Sequence, residues 1–459
     1  MDQKYWKEMY ENTTKKFEKK ARFIGSVFVA FNTNIDDIKY VDENLIEFLD
    51  YKDYSTKENG KSEIRSVDDF KNGLLASMRD GKAREWIVKD MITYEWLRKK
   101  IEYDKRLIGG QAGIVANLLS RIGIGKVIVF NSMLADEEAE MYEKNVVMPI
   151  HSLGNIHLVK PKEAVNTKDS KTNLIFEFKK GMKVSTRDEM FFVPRSNRFI
   201  ISYRPSGREP IFPAEFEDNF DEIFRGVKRV FLSGYQNLPN SENSFFKVKV
   251  QLAKMKKVNS ELKIHFEFTS EENRKHVEKL ARFVMSECDS LGCNERECEI
   301  LLRGLDEEKL ADDLKYSDYG VVKLCEAAKK IMAKTSVSRI QIHNLGFMVC
   351  LVKKKYGNPH QLLDALLFSS ETVFTKSMKQ IIKNVDDIDI NLEYSISERG
   401  IDELKRFEKM TNMEKIGEGI FESGRYYFMV VPMKESKHVK TTVGLGDTIS
   451  SVGFIGDLI

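Results

Sequence analysis

Two kinds of apolar period divide this chain. From residue 2 to 22 apolar side chains recur at helical spacing among lysines and glutamates, which predicts an amphipathic helix. Phe23 to Phe31 is an unbroken apolar run of strand length. It leads into Asn32-Thr33-Asn34-Ile35-Asp36-Asp37, a polar cluster expected at the carboxyl end of a buried strand, where α/β folds hold their ligands. Residues 41–106 are highly charged and predict mostly helix. Leu107 to Phe130 predicts a glycine turn, a helix from Ile114 to Ile122 and a strand from Lys126.

Between 151 and 204 the pattern turns β-like, at 157–159, 173–178, 191–193 and 199–203. Beyond 220 strands and helices alternate. Strands are expected at 229–233, 263–269, 283–286, 339–343, 347–352 and 426–431, with helices at 241–257, 272–281, 295–302, 319–334, 359–382 and 400–409. Such alternation implies an α/β fold, a parallel sheet covered by helices, with the β-rich insertion as a smaller lid over the strand ends. The expected division is a large domain of residues 1–36, 107–146 and 206–459 and a lid of 37–106 and 147–205.

Charge changes the picture only by exclusion. The 74 basic and 71 acidic residues nearly cancel, so no global field favours nucleic acid or an anionic membrane. The N-terminus has no apolar h-region, and the longest apolar run near it is too short for a bilayer. Five cysteines (288, 293, 298, 325 and 350), an odd number without the Cys-x-x-Cys pairs of a zinc site, are expected as buried thiols in a reducing, cytoplasmic setting.

The candidate chemistry concentrates near the C-terminus, in Thr-Thr-Val-Gly-Leu-Gly-Asp-Thr (441–448). Gly444 and Gly446 allow a tight turn, and the small-residue segment after them predicts a helix. A glycine turn that opens a helix gathers free N–H groups and the positive dipole end where a phosphate could sit. Asp447 lies at that point, placed to take a proton from an attacking hydroxyl. The same residues also read as a glycine turn with an acidic N-cap. A dinucleotide fingerprint lacks its third glycine, since Ile449 stands there. Gly60-Lys61-Ser62 is not a Walker loop, since Ser55 replaces its first glycine.

Four further groups carry possible roles. Gly109-Gly110-Gln111-Ala112-Gly113 lets backbone approach a ligand, and Gln111 both donates to and accepts from hydroxyls. Asn34 and Asp36, two apart, suit sugar hydroxyls or an Asx-turn. His265 and Glu267 share one face of a strand. Asn294 and Glu297 open a helix, as oxygen ligands for a magnesium ion held chiefly by phosphates or as a capping box.

Taken together, Asn-Thr-Asn-Ile-Asp (32–36), Gly-Lys-Ala-Arg-Glu (81–85), Gly-Gly-Gln-Ala-Gly (109–113), Asn-Arg-Phe-Ile (197–200), His-Phe-Glu (265–267), Asn-Glu-Arg-Glu (294–297) and Val-Gly-Leu-Gly-Asp-Thr-Ile-Ser-Ser (443–451) resemble the archaeal ADP-dependent sugar kinases. That family is the glucokinase and phosphofructokinase branch of the ribokinase-like superfamily. The resemblance implies a three-layer α/β/α domain with a lid, MgADP as donor and AMP as product. By position, Asp447 resembles the base, and the amides from Gly444 through Leu445 and Gly446 the anion hole. Glu267 and Glu297, with Asp447, resemble the acids that organise Mg²⁺, and Arg198 the phosphate-contacting arginine. Asn34, Asp36, Gly110 and Gln111 resemble sugar-contacting positions. Nucleotide contacts are expected at His343, Asn344, Gly346 and Val431, from their place at strand ends.

The acceptor is read from mixed signals. Glu85 matches the glutamate that contacts glucose in the glucokinase branch, whereas Asn173 stands where glucokinases resemble one another in having histidine. Arg204, with Lys171, could grip the 6-phosphate of fructose 6-phosphate through its guanidinium. The mixture implies a phosphofructokinase first and a glucokinase second. An ATP-dependent ribokinase-like sugar or nucleoside kinase, and a non-catalytic sugar- or nucleotide-binding regulator on the same fold, are the alternatives.

Overall fold

The computed structural model describes residues 3–49, 62–186, 190–204, 209–269, 271, 273–388, 392–436, 438–441 and 443–458. Ser55, Gly60, Lys61 and Thr442, named in the readings above, lie outside them, as does the first position of the helix expected at 272–281.

A twelve-stranded sheet runs, in spatial order, through 414–417, 420–423, 426–432, 347–353, 339–343, 290–294, 263–267, 227–232, 26–30, 126–129, 146–152 and 155–159. From Val146–Ser152 across to Arg339–His343 neighbouring strands are parallel, and antiparallel strands extend both flanks. Alternation along each strand feeds two cores. Phe28 and Ala30 join the helices on one face, whereas Val27 and Val29 join Ala112, Val115 and Phe454 on the other. The large unit is therefore a three-layer α/β/α fold. Strands buried on both faces explain why they read as continuous apolar runs.

A second sheet has six strands, in the order 63–64, 84–88, 197–203, 172–178, 34–40 and 105–109. Helices 43–49, 67–80 and 91–100 contribute to its separate core around Phe70, Phe176 and Phe199. Strand pairing draws the division differently from the pattern. Asn34–Tyr40 and Lys105–Gly109 belong to the small sheet, while the hairpin 146–159 closes an edge of the large one.

Two expectations are corrected and one is refined. The stretch 41–106 is helical over most of its described residues, in Glu43–Leu49, Val67–Asp80 and Met91–Lys100, but it also carries strands at Glu63–Ile64 and Arg84–Val88 and the start of another at Lys105. The polar cluster after Phe31 is not a strand-end loop from Asn34 on, but a strand. No strand forms at 283–286: Leu280–Met285 is a π-helical continuation of Arg274–Lys279, and the strand lies at Ser290–Asn294. That strand needs small residues, because a Cβ on Gly292 would collide with Glu267 and stand 2.9 Å from the His265 ring.

Candidate active site

The C-terminal helix, Leu445–Ile455, starts at Gly444, whose φ of 64° is left-handed and favours glycine. No side chain caps this helix, so its first amides remain available to an anion. Asp447 is the third residue of the helix, not its N-cap. Burial raises its carboxyl to about 6, and the nearby Lys376 ammonium pulls the other way.

The sheet holds this helix from beneath. Gln341 Nε2 donates to Ile449 O at 3.0 Å, and Arg339 Nη2 donates to Gly453 O at 3.0 Å. Gly446 lies over His343, where an added Cβ would stand 3.0 Å from Nε2. Burial depresses the His343 imidazole to about 4, so it is neutral at physiological pH.

Below the turn, three carboxylates converge. Glu267 is buried, and burial first, then the charges of Asp447 and Glu297, push its carboxyl well up. Its Oε2 lies 3.0 Å from His265 Nε2, and His265 Nδ1 lies 2.8 Å from Ser290 Oγ. Arg339 Nη1 donates to that same hydroxyl at 2.9 Å. Glu297 forms the capping box: its Oε2 accepts from Asn294 N at 2.8 Å, and Asn294 Oδ1 accepts from Glu297 N at 2.9 Å. Among the described residues no group of three His, Cys, Asp or Glu has the closeness of a direct metal cage. Mutually repelling acids without such a cage fit a divalent cation held through water and phosphate oxygens.

The small sheet presents the polar cluster. Asp36 Oδ1 accepts from Asn34 Nδ2 at 2.6 Å and from Asn173 Nδ2 at 3.0 Å. Asn173 Oδ1 accepts from Ser202 Oγ at 2.8 Å. Burial raises the Asp36 carboxyl to about 6. Gly109 and Gly110 are required by closeness, since a Cβ on either would strike Asp36 or the Asn32 backbone. Gln111 accepts from Asn32 Nδ2, and Lys171 Nζ donates to Asn32 Oδ1 at 2.7 Å. Asp37 faces the other way and is held by Arg106 at 2.6 and 3.0 Å.

Two cavities connect these groups. One of about 310 Å³ is walled by Asp36, Ile114, Lys376, Thr441 and Val443, so Asp36 and the segment that leads into the glycine turn face one crevice. Arg198 lines a second, of about 680 Å³, with Glu177, Lys440 and Thr441. Beside Asn32 and Lys171 a third cavity of about 310 Å³ reaches Arg204, Gln236 and Asn237. Arg204 Nη2 is 2.9 Å from Glu85 Oε1.

The expected nucleotide residues lie at one end of adjoining strands, where His343 pairs with Met348 and Met348 with Val431, and Asn344 and Gly346 fall in the connection between the first two. His343 lies by the turn. Asn344 donates to Tyr319 O at 3.3 Å. Gly346 packs against Ser397 and Gly400, and the Val431 side chain is buried in its strand. Lys376, Lys440 and Asn237 line the crevices, and Ser202 backs Asn173, without having been signalled by any motif. The one available hint was a lysine near the end of the stretch 362–377, whose only other charged residues are Asp364 and Glu371.

A helix N-terminus with no side-chain cap and Asp447 in its first turn, beside a cleft between an α/β/α layer and a lid-like sheet, has the make-up of a phosphate-handling site. The conserved region of ADP-specific phosphofructokinase/glucokinase matches residues 25–456. The chain is 31% identical to an ADP-specific phosphofructokinase of Methanosarcina acetivorans, over 100% of this chain and 98% of that protein. It is 32% identical to an ADP-dependent glucose/glucosamine kinase of Pyrococcus furiosus, over 98% of each. Among solved structures, an ADP-dependent kinase in complex with fructose 6-phosphate and ADPβS superposes with a TM-score of 0.86 at 30% identity, covering 100% of this chain and 99% of that one. The protein belongs to the ADP-specific phosphofructokinase/glucokinase family.

Among the described residues no helix is long and apolar enough to cross a membrane, and all five cysteines are buried and free.

Proposed function

We propose that the protein is an ADP-dependent sugar kinase that transfers the β-phosphoryl group of MgADP to fructose 6-phosphate, giving fructose 1,6-bisphosphate and AMP. Glucose is a second acceptor, giving glucose 6-phosphate, within a modified cytoplasmic glycolysis. The observation that carries this reading is the crevice that Asp36 shares with Lys376, Thr441 and Val443, the residues that flank the glycine turn; it supports an acceptor held by the polar cluster next to an anion hole with an adjacent base. The names of the relatives supply the donor and both acceptors.

In this reading Asn34, Asp36, Asn173, Gly110 and Gln111 orient the acceptor, and Asp447 takes the proton of its attacking hydroxyl. The amides of Leu445 and Gly446 stabilise charge on the transferring group, and Arg198 reaches across from the small sheet to the donor phosphates. Glu267 and Glu297 orient the waters of a bound magnesium ion, which neutralises phosphate charge. The small sheet and its helices, residues 34–109 and 172–203, act as the lid, and closure excludes water from the phosphoryl group. Phosphoryl transfer needs positioning and charge stabilisation above all, which is what these parts offer.

The test is a matrix of ADP and ATP against fructose 6-phosphate, glucose and a nucleoside, reading AMP or ADP formed. AMP production from ADP with either sugar is expected. Turnover with ATP alone would favour the ATP-dependent kinase, and ADP binding without any turnover would favour a regulator.

A further inference from the structure

The helix Pro359–Lys379 packs along the C-terminal helix and is buried over most of its length. Three of its hydroxyls are satisfied within the helix: Ser369, Thr372 and Ser377 return theirs to carbonyls of Leu366, Phe368 and Phe374 at 2.7 to 2.8 Å. Lys376 departs from that pattern. Its Nζ donates to Gly444 O at 3.0 Å and to Thr448 Oγ1 at 3.0 Å. Among the described residues no carboxylate lies within salt-bridge distance of it, so the ammonium spends two donors on neutral oxygens of the turn.

The Gly444 carbonyl is thereby crowded. It also accepts from Thr448 N at 3.1 Å and Thr448 Oγ1 at 2.8 Å, three donors on an oxygen with two lone pairs. The consequence follows from peptide planarity. Gly444 C=O and Leu445 N–H belong to one trans peptide unit and point in opposite directions. Fixing the carbonyl toward Lys376 fixes the Leu445 amide away from it, on the side from which an anion would approach. A cation on the carbonyl oxygen also polarises the unit, so that N–H becomes a stronger donor.

We propose that Lys376 is a positioning residue of the phosphoryl-transfer site: by gripping the Gly444 carbonyl it aims and polarises the Leu445 amide toward the group in transit. This rests on the kinase reading above. Lys376 acts through the turn and touches no reacting atom.

The test compares Lys376→Met, Lys376→Arg and Lys376→Ala with the wild type, reading steady-state kinetics, melting temperature and hydrogen exchange of peptides spanning 438–451 without ligand. For Lys376→Met, kcat should fall about 10²-fold, the scale of losing one oxyanion donor, while both KM values stay within about threefold, since the aimed amide acts in the transition state. Lys376→Arg should retain more activity than Lys376→Met. Because the side chain lines an open crevice, methylammonium should restore part of the activity of Lys376→Ala, and tetramethylammonium, which has no N–H, should not. Amide exchange at the turn should quicken in Lys376→Met. An unchanged kcat, a loss confined to KM, or unfolding of all three variants would overturn the proposal. Should the wild type prove inert with every donor and acceptor, the kinase reading fails while the exchange measurement still decides the clamp: unchanged protection in Lys376→Met overturns it.

Discussion

Arg204 Nη2 and Glu85 Oε1 are 2.9 Å apart, joining by one ion pair the residue suited to a sugar phosphate and the residue suited to glucose. Arg204 rises from the strand Asn197–Tyr203 and also reaches Asn237 Oδ1 of the large unit at 3.4 Å. Both partners of the pair are more than a third exposed, so the bridge contributes at most about 1 kcal/mol and a substrate can displace it. Fructose 6-phosphate would take Arg204 from Glu85, and glucose would take Glu85 from Arg204.

Replacing Glu85 by Ala should therefore separate the two acceptors. Glucose loses a charge-assisted hydrogen bond, worth about 10- to 100-fold in kcat/KM. Fructose 6-phosphate should change by less than about threefold, because Arg204 is freed without losing anything bound. Parallel kinetics on both sugars check this, and equal losses would remove Glu85 from the specificity argument.

Asp447→Asn should lower kcat about 10²- to 10⁴-fold, the range for a general base, with sugar binding kept. With glucose, which does not titrate here, wild-type kcat/KM should fall as pH drops through about 6, where this carboxyl and that of Asp36 both protonate. The stability effect has the opposite sense. A folded-state pKa raised above the ordinary carboxylate value means the folded protein holds the proton more tightly, so this group's contribution declines as pH rises from about 4 to about 6. Above that range Asp447→Asn removes an unfavourable buried charge, and its melting temperature should equal or exceed that of the wild type. Calorimetry at pH 7.5 (about one and a half units above that value) measures it.

Glu267→Gln should act on the metal rather than on the sugar. It removes a carboxylate that already repels Asp447 and Glu297, so the magnesium concentration for half-activation should rise about 10- to 100-fold, as for loss of an orienting outer ligand. The KM for fructose 6-phosphate at saturating magnesium should not move. A magnesium titration of each variant reads both.

Much of this arrangement was legible, and the exceptions have physical causes. Phe347–Lys353 and Tyr426–Pro432 announced themselves because strands buried on both faces are apolar almost throughout. Ser290–Asn294 did not, since its composition is dictated by room for Glu267 and His265. Asn34–Tyr40 is charged and reads as loop; pairing with Thr172–Phe178 and Lys105–Gly109 overrides its propensity. The hairpin 414–423 was absent from the pattern reading altogether. In the site, Gly444 and Asp447 are adjacent in sequence and so were visible as a motif. Lys376 is 68 residues from Gly444 in the chain and meets it only through helix packing.

The two glycines of the turn should respond differently to alanine. At Gly444 the left-handed backbone costs a side chain roughly 1–2 kcal/mol, and the added Cβ would stand 2.9 Å from both Lys376 Nζ and Ile114 Cδ1. Neither neighbour can yield freely, because Lys376 grips the same residue's carbonyl, so Gly444→Ala should lower both kcat and melting temperature. Gly446 has helical backbone, and its Cβ would meet only the tip of His343, 3.0 Å away at Nε2. That ring belongs to a side chain that can shift, so Gly446→Ala should keep its melting temperature near that of the wild type and raise the KM for ADP. Adding His343→Ala to Gly446→Ala should then recover part of the ADP affinity. A double variant no better than Gly446→Ala alone would mean that the methyl group obstructs the nucleotide itself rather than displacing His343. Initial rates for the two single variants and the double variant across an ADP series distinguish these outcomes.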